Sequence, residues 1–122
     1  MSPQTRLQDL RGQIDEINMQ ILELLNKRAA VASEIGTAQS ELGTRFYDPQ
    51  REAQMLQEIE QANQGPFSNE TVKSLFKEVF RATLALEETE ARLRPQALTG
   101  QVLAGAMIFG VLVFGGIVAV MN

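Results

Sequence analysis

"LLNKRAAVASEIG", residues 24–36, places an arginine where a helix built on an apolar stripe would carry leucine. On both sides of this stretch, apolar side chains recur at alternating steps of three and four residues, which is the spacing of one helix face. The series comprises Leu7, Leu10, Ile14, Ile17, Ile21, Leu24, Val31, Ile35, Ala38 and Leu42. Its missing member falls at Arg28. The stretch therefore predicts a long helix whose apolar face carries one permanent cation.

The predicted first helix runs from about Gln4 to Leu42 without a proline or a turn cluster. A helix of that extent is about 58 Å long. An apolar stripe with seven-residue spacing needs a partner along its whole length, and the rest of the soluble chain supplies only two shorter helices. We therefore expect a homodimer in which the long helices share a core.

Two shorter helices follow a break at "ELGTRFYDPQRE", residues 41–52. Asp48 precedes a proline, an order typical of an N-cap and the first helical residue. The second helix stops at "NQGP", residues 63–66, and Ser68 is the expected N-cap of a third helix that continues to Leu93. No segment indicates a strand. The predicted fold class is all-α, with three helices and one very long first helix.

The composition excludes several kinds of chemistry. The chain has 122 residues and no cysteine, histidine or tryptophan, so disulfides, imidazole bases and the usual zinc sites are excluded, and we expect neither a metal nor a cofactor. Fifteen acidic against eleven basic residues give a net charge of −4, which argues against nucleic acid as a partner. The N-terminus, "MSPQTRLQDLRGQ", lacks the apolar region of a signal peptide.

The C-terminal tail differs sharply from the rest, because every charged residue lies at or before Arg94. From Val102 to Met121 no side chain is charged or strongly polar, and a helix of that length spans about 30 Å, the thickness of a bilayer's hydrocarbon core. We expect a single transmembrane helix, with a buried core helix as the alternative. The predicted division is a helical domain at 1–94, a short linker at 95–98 and a transmembrane helix at 99–122.

Small residues gather on one side of the predicted membrane helix. They are Gly100, Ala104, Gly105, Gly115, Gly116 and Ala119. Such a face lets another transmembrane helix approach closely, although an unspecific anchor with incidental glycines is the alternative. Arg92 and Arg94 precede the span and no charge follows it, which predicts a single-pass membrane protein with its N-terminal domain in the cytoplasm.

Polar side chains also lie on or beside the apolar stripe of the third helix. Thr83 and Glu87 are one turn apart and project in the same direction. Two interpretations follow for Arg28. It forms an ion pair with Glu87 or extends its charged end to water; alternatively, the helices enclose a polar pocket in which arginines bind an anion. Other charged residues favour the pocket, namely Arg11, Asp48, Arg51 and Glu52.

Several separate segments resemble the all-helical chorismate mutases, in order and with nearly constant spacing. They are "LRGQIDEIN" at 10–18, "LLNKRAAVASEIG" at 24–36, "DPQRE" at 48–52, "NQGPF" at 63–67 and "LFKEVFRATLALEE" at 75–88. The chain is similar above all to the modules fused ahead of a DAHP synthase in some bacteria. The resemblance implies an intertwined homodimer of three-helix protomers that converts chorismate, a small dianion, to prephenate.

The resemblance also implies roles for individual residues. Arg28 would bind a substrate carboxylate within its own chain, and Arg11 would be contributed by the partner subunit. Arg51 would be a further binding arginine, with Asp48 and Glu52 holding the hydroxyl side of the substrate. Arg28 would then interrupt the apolar stripe because it points into a substrate cavity.

Three positions depart from the family pattern. Where the family has a lysine, in a segment similar to "GKAK", this chain has "GTAQ", so Gln39 replaces the cation expected on the ether oxygen. Glu87 stands where the family has glutamine, and a carboxyl group must be protonated to donate a hydrogen bond, which favours acidic pH. Thr83 is a mild change from serine.

Two functions follow as alternatives. The first is a membrane-tethered chorismate mutase, an isomerase impaired by Gln39. The second is a catalytically silent mutase-like module, serving as an accessory, docking or sensor subunit of a membrane protein complex. We expect the first, because the several charged site residues would hardly all be present by accident, whereas a single lysine is easily lost.

Overall fold

The computed structural model describes residues 1–44 and 46–93. Three α-helices make up this part of the chain: α1 spans Pro3–Leu42, α2 spans Pro49–Ala62 and α3 spans Asn69–Leu93. Neither described range contains a strand, so the predicted all-α fold with a long first helix is confirmed.

The first helix begins one residue earlier than the sequence predicts. Ser2 caps it by accepting a hydrogen bond at Oγ from the backbone N–H of Thr5, 3.1 Å away, and Pro3 occupies the first turn, where its missing N–H costs nothing. The helix ends because Gly43 adopts a φ of +74°, a left-handed conformation that glycine enters without strain. The N–H groups of Gly43 and Thr44 then bond to the last carbonyls of the helix. These two ends define a rod of 40 residues, about 60 Å long.

The two shorter helices begin at the residues that the sequence predicts. Asp48 accepts a hydrogen bond at Oδ1 from the N–H of Arg51, 3.0 Å away, and Ser68 accepts one at Oγ from the N–H of Thr71, 3.2 Å away. A side-chain oxygen at the N-cap satisfies an N–H that has no partner inside the helix. Both predicted caps are therefore confirmed.

Helix α3 packs against both α1 and α2. The hydrophobic residues that are fully buried in the described part of a single chain are Ala32 of α1 and Phe80 of α3. The Phe80 ring also packs against Phe76, with 6.3 Å between ring centroids. The core of one chain is therefore small, and it lies where α3 crosses the C-terminal half of α1.

The N-terminal half of α1 stands apart from this core. Every residue from 1 to 27 is exposed in the single chain. The apolar stripe on this half has exposed fractions between 46% and 63%, and it comprises Leu7, Leu10, Ile14, Ile17, Ile21 and Leu24. Its covering by a second copy of the chain, expected from the sequence, stays a prediction.

No helix within the described ranges is long and apolar enough to cross a membrane. The predicted linker at 95–98, the transmembrane helix at 99–122 and its small-residue face lie outside the described residues. The membrane location therefore also stays a prediction.

Candidate functional site

A cavity of about 540 Å³ lies between the C-terminal half of α1, the start of α2 and the middle of α3. Of the eight residues predicted to bind substrate or act in catalysis, seven line it: Arg28, Gln39, Asp48, Arg51, Glu52, Thr83 and Glu87. These residues are separated by up to 59 positions in the sequence, as the numbers of Arg28 and Glu87 show. The fold brings them to one place, and their individual roles remain predictions.

Arg28 is held by two contacts with α3. Its Nη1 donates a hydrogen bond to Thr83 Oγ1 over 3.0 Å, and its Cζ lies 5.2 Å from the centroid of the Phe80 ring. Thr83 Oγ1 in turn donates to the carbonyl of Val79 over 2.7 Å, which fixes the hydroxyl so that its lone pair faces Arg28. The guanidinium group is therefore oriented before any ligand arrives, and its remaining N–H donors are available to an anion.

The structure decides one of the alternatives left open for Arg28. In the described part of the chain the ion pairs are Lys73–Glu60, Lys73–Glu70 and Arg81–Glu78, so Arg28 and Glu87 do not form one. The hydrogen bond from Arg28 goes to the neutral Thr83 hydroxyl. The geometry thus favours the polar pocket over a structural Arg28–Glu87 pair.

Glu87 is a buried carboxyl group, with 8% of its surface exposed. Gly36 of α1 makes this burial possible: a Cβ atom at position 36 would lie 3.3 Å from Glu87 Oε2 and 3.5 Å from its Cγ. Burial raises the pKa of Glu87, the neighbouring Glu90 carboxylate raises it further, and Arg28 opposes them as the smallest of the three effects. Glu87 therefore keeps its proton to higher pH than an ordinary glutamate.

Gln39 lies on the cavity wall with an unpaired polar atom. Its Oε1 is buried and has no hydrogen-bond partner among the described residues. A buried amide oxygen without a partner is costly, and it signals either a missing ligand or a missing neighbour. The amide can also rotate to exchange its oxygen and nitrogen, so this position offers the cavity either a donor or an acceptor.

The start of α2 contributes the other charged residues of the cavity. Asp48 lines the cavity while capping α2, and Arg51 Nη1 donates a weak hydrogen bond to Gln54 Oε1 over 3.4 Å. Glu52 is partly buried. The N-terminus of a helix favours negative charge, so this end of α2 supports anion binding beside Arg51.

Arg11 is the one predicted site residue that the single chain leaves outside the cavity. It lies on the exposed N-terminal half of α1. This position is compatible with its predicted contribution to the site of a partner subunit, which the single chain does not test.

Sequence reasoning missed two features of the site. Phe46 lines the cavity from the segment between α1 and α2, and the only signal was an aromatic residue just ahead of the Asp48 cap. It also missed a hydrogen bond of 2.7 Å from Ser33 Oγ to Glu90 Oε1, which joins α1 to α3 beside Glu87. The only sequence signal for that bond was that Glu90 follows Glu87 at a helical spacing of three residues.

The chain belongs to the chorismate mutase type II family, whose model matches residues 10–88. Among solved structures, a chorismate mutase (Form II) from Thermus thermophilus is similar with a TM-score of 0.67 and 49% sequence identity, over 68% of this chain and 94% of that one. These comparisons support an enzyme of the isomerase class and confirm the predicted three-helix mutase fold.

Curated relatives from bacteria carry a region similar to this chain within longer proteins. A bifunctional chorismate mutase/prephenate dehydratase of Pseudomonas aeruginosa is 40% identical over 93 residues, which are 72% of this chain and 26% of the relative. The protein of the same description from Neisseria gonorrhoeae is 44% identical over 89 residues, 70% of this chain and 24% of the relative. The chain thus spans about a quarter of the length of these relatives. The finer likeness to modules fused to a DAHP synthase stays a prediction.

Proposed function

We propose that the chain catalyses the rearrangement of chorismate to prephenate. The observation that carries the proposal is the gathering of seven predicted site residues around one cavity in a chain of the chorismate mutase family. The reaction breaks one C–O bond and forms one C–C bond within a single molecule, so it requires no cofactor and no covalent intermediate. A rigid cavity that holds the substrate compact and stabilises charge on the ether oxygen is sufficient for it.

The chain's own residues divide this work by charge. Arg28 is oriented by Thr83 to bind a substrate carboxylate, and Arg51 supplies a second cation at the start of α2. A protonated Glu87 and the amide of Gln39 supply hydrogen-bond donors for the ether oxygen, while Asp48 and Glu52 accept from the substrate hydroxyl. The Gln39 amide is neutral, so the developing negative charge is stabilised less than an ammonium group would stabilise it.

The charge balance of the cavity supports a homodimer. Arg28 and Arg51 supply two positive charges, and Asp48 and Glu52 supply two negative ones, so a single chain offers no net attraction to a dianion. Arg11 of the partner subunit would restore a positive balance. The exposed apolar stripe on the N-terminal half of α1 supports the same dimer, because an amphipathic helix of this length needs a covering surface.

The proposed enzyme is tethered to a membrane through residues 99–122. This part of the proposal rests on the sequence of the tail alone, with its long apolar run and its face of small residues. The N-terminal domain would lie on the cytoplasmic side, where it would meet a small, soluble substrate.

One observation favours a second candidate function. The buried amide oxygen of Gln39 has no partner in the described chain, and the position lacks the cation that the family resemblance leads us to expect there. A silent mutase-like module that docks onto other transmembrane subunits, or senses a small anion for them, would need the cavity but not the cation.

A conversion assay separates the two candidates. The full chain in mild detergent is compared with Gln39→Lys for chorismate turnover and for binding of a bicyclic transition-state mimic. The enzyme hypothesis predicts turnover by the wild type and an increase of about tenfold or more in Gln39→Lys.

The matched control is Gln57→Lys, because Gln57 is exposed on α2 and lies outside the cavity. It should leave turnover unchanged. Turnover by Gln39→Lys alone would favour the silent module, and a wild type and variant that neither bind the mimic nor convert chorismate would refute the proposed mutase function.

A further inference from the structure

The contact between Ser33 and Glu90 lies beside the cavity and has no part in the proposed reaction so far. Ser33 Oγ donates to Glu90 Oε1 over 2.7 Å, in a partly buried setting. One turn away on each helix, Gly36 of α1 packs against the Glu87 carboxyl group of α3. Glu87 and Glu90 are three residues apart, so their side chains lie on the same face of α3. The two contacts are therefore neighbours, one helical turn apart, in the same α1–α3 interface.

We propose that Glu90, held by Ser33, is a positioning residue: it fixes a second carboxylate behind Glu87 and thereby keeps the Glu87 carboxyl group in its protonated, hydrogen-donating form. The inference rests on the proposed function, in which that proton faces the ether oxygen. The hydrogen bond from the Ser33 hydroxyl holds the Glu90 carboxyl group in place beside Glu87.

The charged groups around Glu87 act in both directions. From α3, the Glu90 carboxylate raises the pKa of Glu87, adding to the effect of burial, and from α1 the Arg28 guanidinium lowers it by less. The start of α2 supplies the other charged groups that line the cavity, which are Asp48, Arg51 and Glu52. Arg28 directs a hydrogen bond to the Thr83 hydroxyl, and its effect on the pKa of Glu87 is smaller than the opposing effect of the Glu90 carboxylate.

This arrangement gives Glu90 a function that burial of Glu87 alone does not. A buried glutamate without a like charge beside it ionises at a lower pH, and an ionised Glu87 would repel both substrate carboxylates as well as lose its donor. Ser33 and Glu90 thus extend the pH range over which Glu87 stays protonated and can donate a hydrogen bond, without touching the substrate.

The test titrates Glu87 directly and does not depend on turnover. The carboxyl carbon of Glu87 is followed by ¹³C NMR in the full chain in mild detergent, with its signal assigned by loss in Glu87→Gln. In Glu90→Gln the titration midpoint of Glu87 should move to lower pH, and in Ser33→Ala it should move the same way by less. Ser33→Thr retains a hydroxyl group and should restore the wild-type midpoint.

Glu88→Gln is the matched control, since it removes the same charge from the same turn of α3 at an exposed position. If Glu90→Gln leaves the midpoint unchanged, or if Glu88→Gln moves it equally, the proposal is overturned. Both results stand whether or not chorismate is converted, so they are distinguishable from a failure of the proposed function.

A pH profile of kcat/KM adds the functional readout. If the chain converts chorismate, Glu90→Gln should lose about threefold or more in kcat/KM on the high-pH side, because threefold is the factor expected for two like charges at this helical spacing even in water, with the low-pH plateau unchanged. A uniform loss at every pH would indicate a merely structural role and would overturn the proposal.

Discussion

The two halves of α1 share one apolar period but differ in how far they are buried in the single chain. From residue 3 to 27 every side chain is exposed in the single chain, whereas from residue 28 to 42 the helix buries Ala32 and Gly36 and lines the cavity. Arg28 stands at the boundary between the halves. The comparison teaches that a helical period identifies an apolar face but not the surface that covers it: α3 covers Ala32 and Gly36 in the C-terminal half, whereas about half of the Val31 and Ile35 side chains on the stripe stays exposed in the single chain.

Placing a charge on the uncovered half should have the largest effect. Ile14→Glu puts a carboxylate into the stripe, at a position where the exposed fraction in the single chain is 57%. If a second copy covers that stripe, the change should cost about 2–4 kcal/mol per subunit and abolish both the dimer and the activity. Sedimentation and helix content by circular dichroism in mild detergent measure the outcome.

The control for that variant is Gln8→Glu, which adds the same charge on the polar side of the same half of α1. It should leave the assembly intact. A dimer that survives Ile14→Glu would show that the N-terminal half is not the shared surface.

Removing the cation at the boundary should have the next largest effect. Arg28→Ala deletes the guanidinium that Thr83 and Phe80 orient, and turnover should fall by about a hundredfold or more, while the dimer remains. Arg28→Lys should recover little of it, since an ammonium group does not reproduce the planar set of donors.

Arg81→Ala is the matched comparison for Arg28→Ala, because Arg81 pairs with Glu78 on the exposed side of α3. Equal losses in the two variants would contradict a binding role for Arg28. Kinetics and sedimentation on the same samples separate lost binding from lost assembly.

The contact between the C-terminal half of α1 and Glu87 of α3 also predicts a pH dependence. The pKa of Glu87 is raised by burial and by Glu90, so its carboxyl group donates at low pH and turnover should fall as pH rises through the raised value. Glu87→Gln replaces it with a permanent donor and should flatten the pH profile. Rates measured from about pH 5 to 8 on both proteins test this.

The free energy of unfolding should also fall as pH rises through the raised pKa of Glu87. A folded-state pKa above that of the unfolded chain gives stability that is fully present below the unfolded value and is lost as pH rises through the folded one. At pH values above the usual pKa of a glutamate, the unfolding temperature of Glu87→Gln should therefore depend less on pH than that of the wild type. A profile that keeps its slope in the variant would assign the pH dependence to another group.

The smallest effects should come from the two glycines of α1, one in each half. Gly12 has nothing within 4 Å of an added Cβ, so Gly12→Ala should stabilise the helix by up to about 1 kcal/mol. Gly36→Ala gains the same propensity but crowds Glu87, so it should stabilise less and should lower turnover. Thermal unfolding compares the two; a loss of stability in Gly12→Ala would reveal a close partner at that position.

The sequence predicts the parts of this molecule that local chemistry decides. Gly43, Asp48 and Ser68 mark helix ends because each satisfies or redirects backbone groups within a few residues of itself. The polar residues on the stripes indicate a pocket for a similar reason, since a charge on an apolar face needs an explanation wherever the helix packs.

The remaining features depend on how distant segments meet. Ser33 and Glu90 are 57 positions apart, and nothing in either neighbourhood specifies that α1 and α3 cross where these side chains touch. Phe46 reaches the cavity through a connection whose path local propensity does not determine. The approach of Glu87 to Gly36 is likewise a property of the crossing, although an isolated glycine within a helix is a hint of close packing.

Asp48 has two structural roles, and this limits how the site can change in evolution. Its carboxylate both caps α2 and lines the cavity, so a change that altered ligand preference there would also fray a helix. Gln39 carries no such constraint, because its amide oxygen bonds to nothing in the described chain. A substitution at Gln39 can therefore change the chemistry of the cavity with little effect on the fold, whereas a substitution at Asp48 would also destabilise the start of α2.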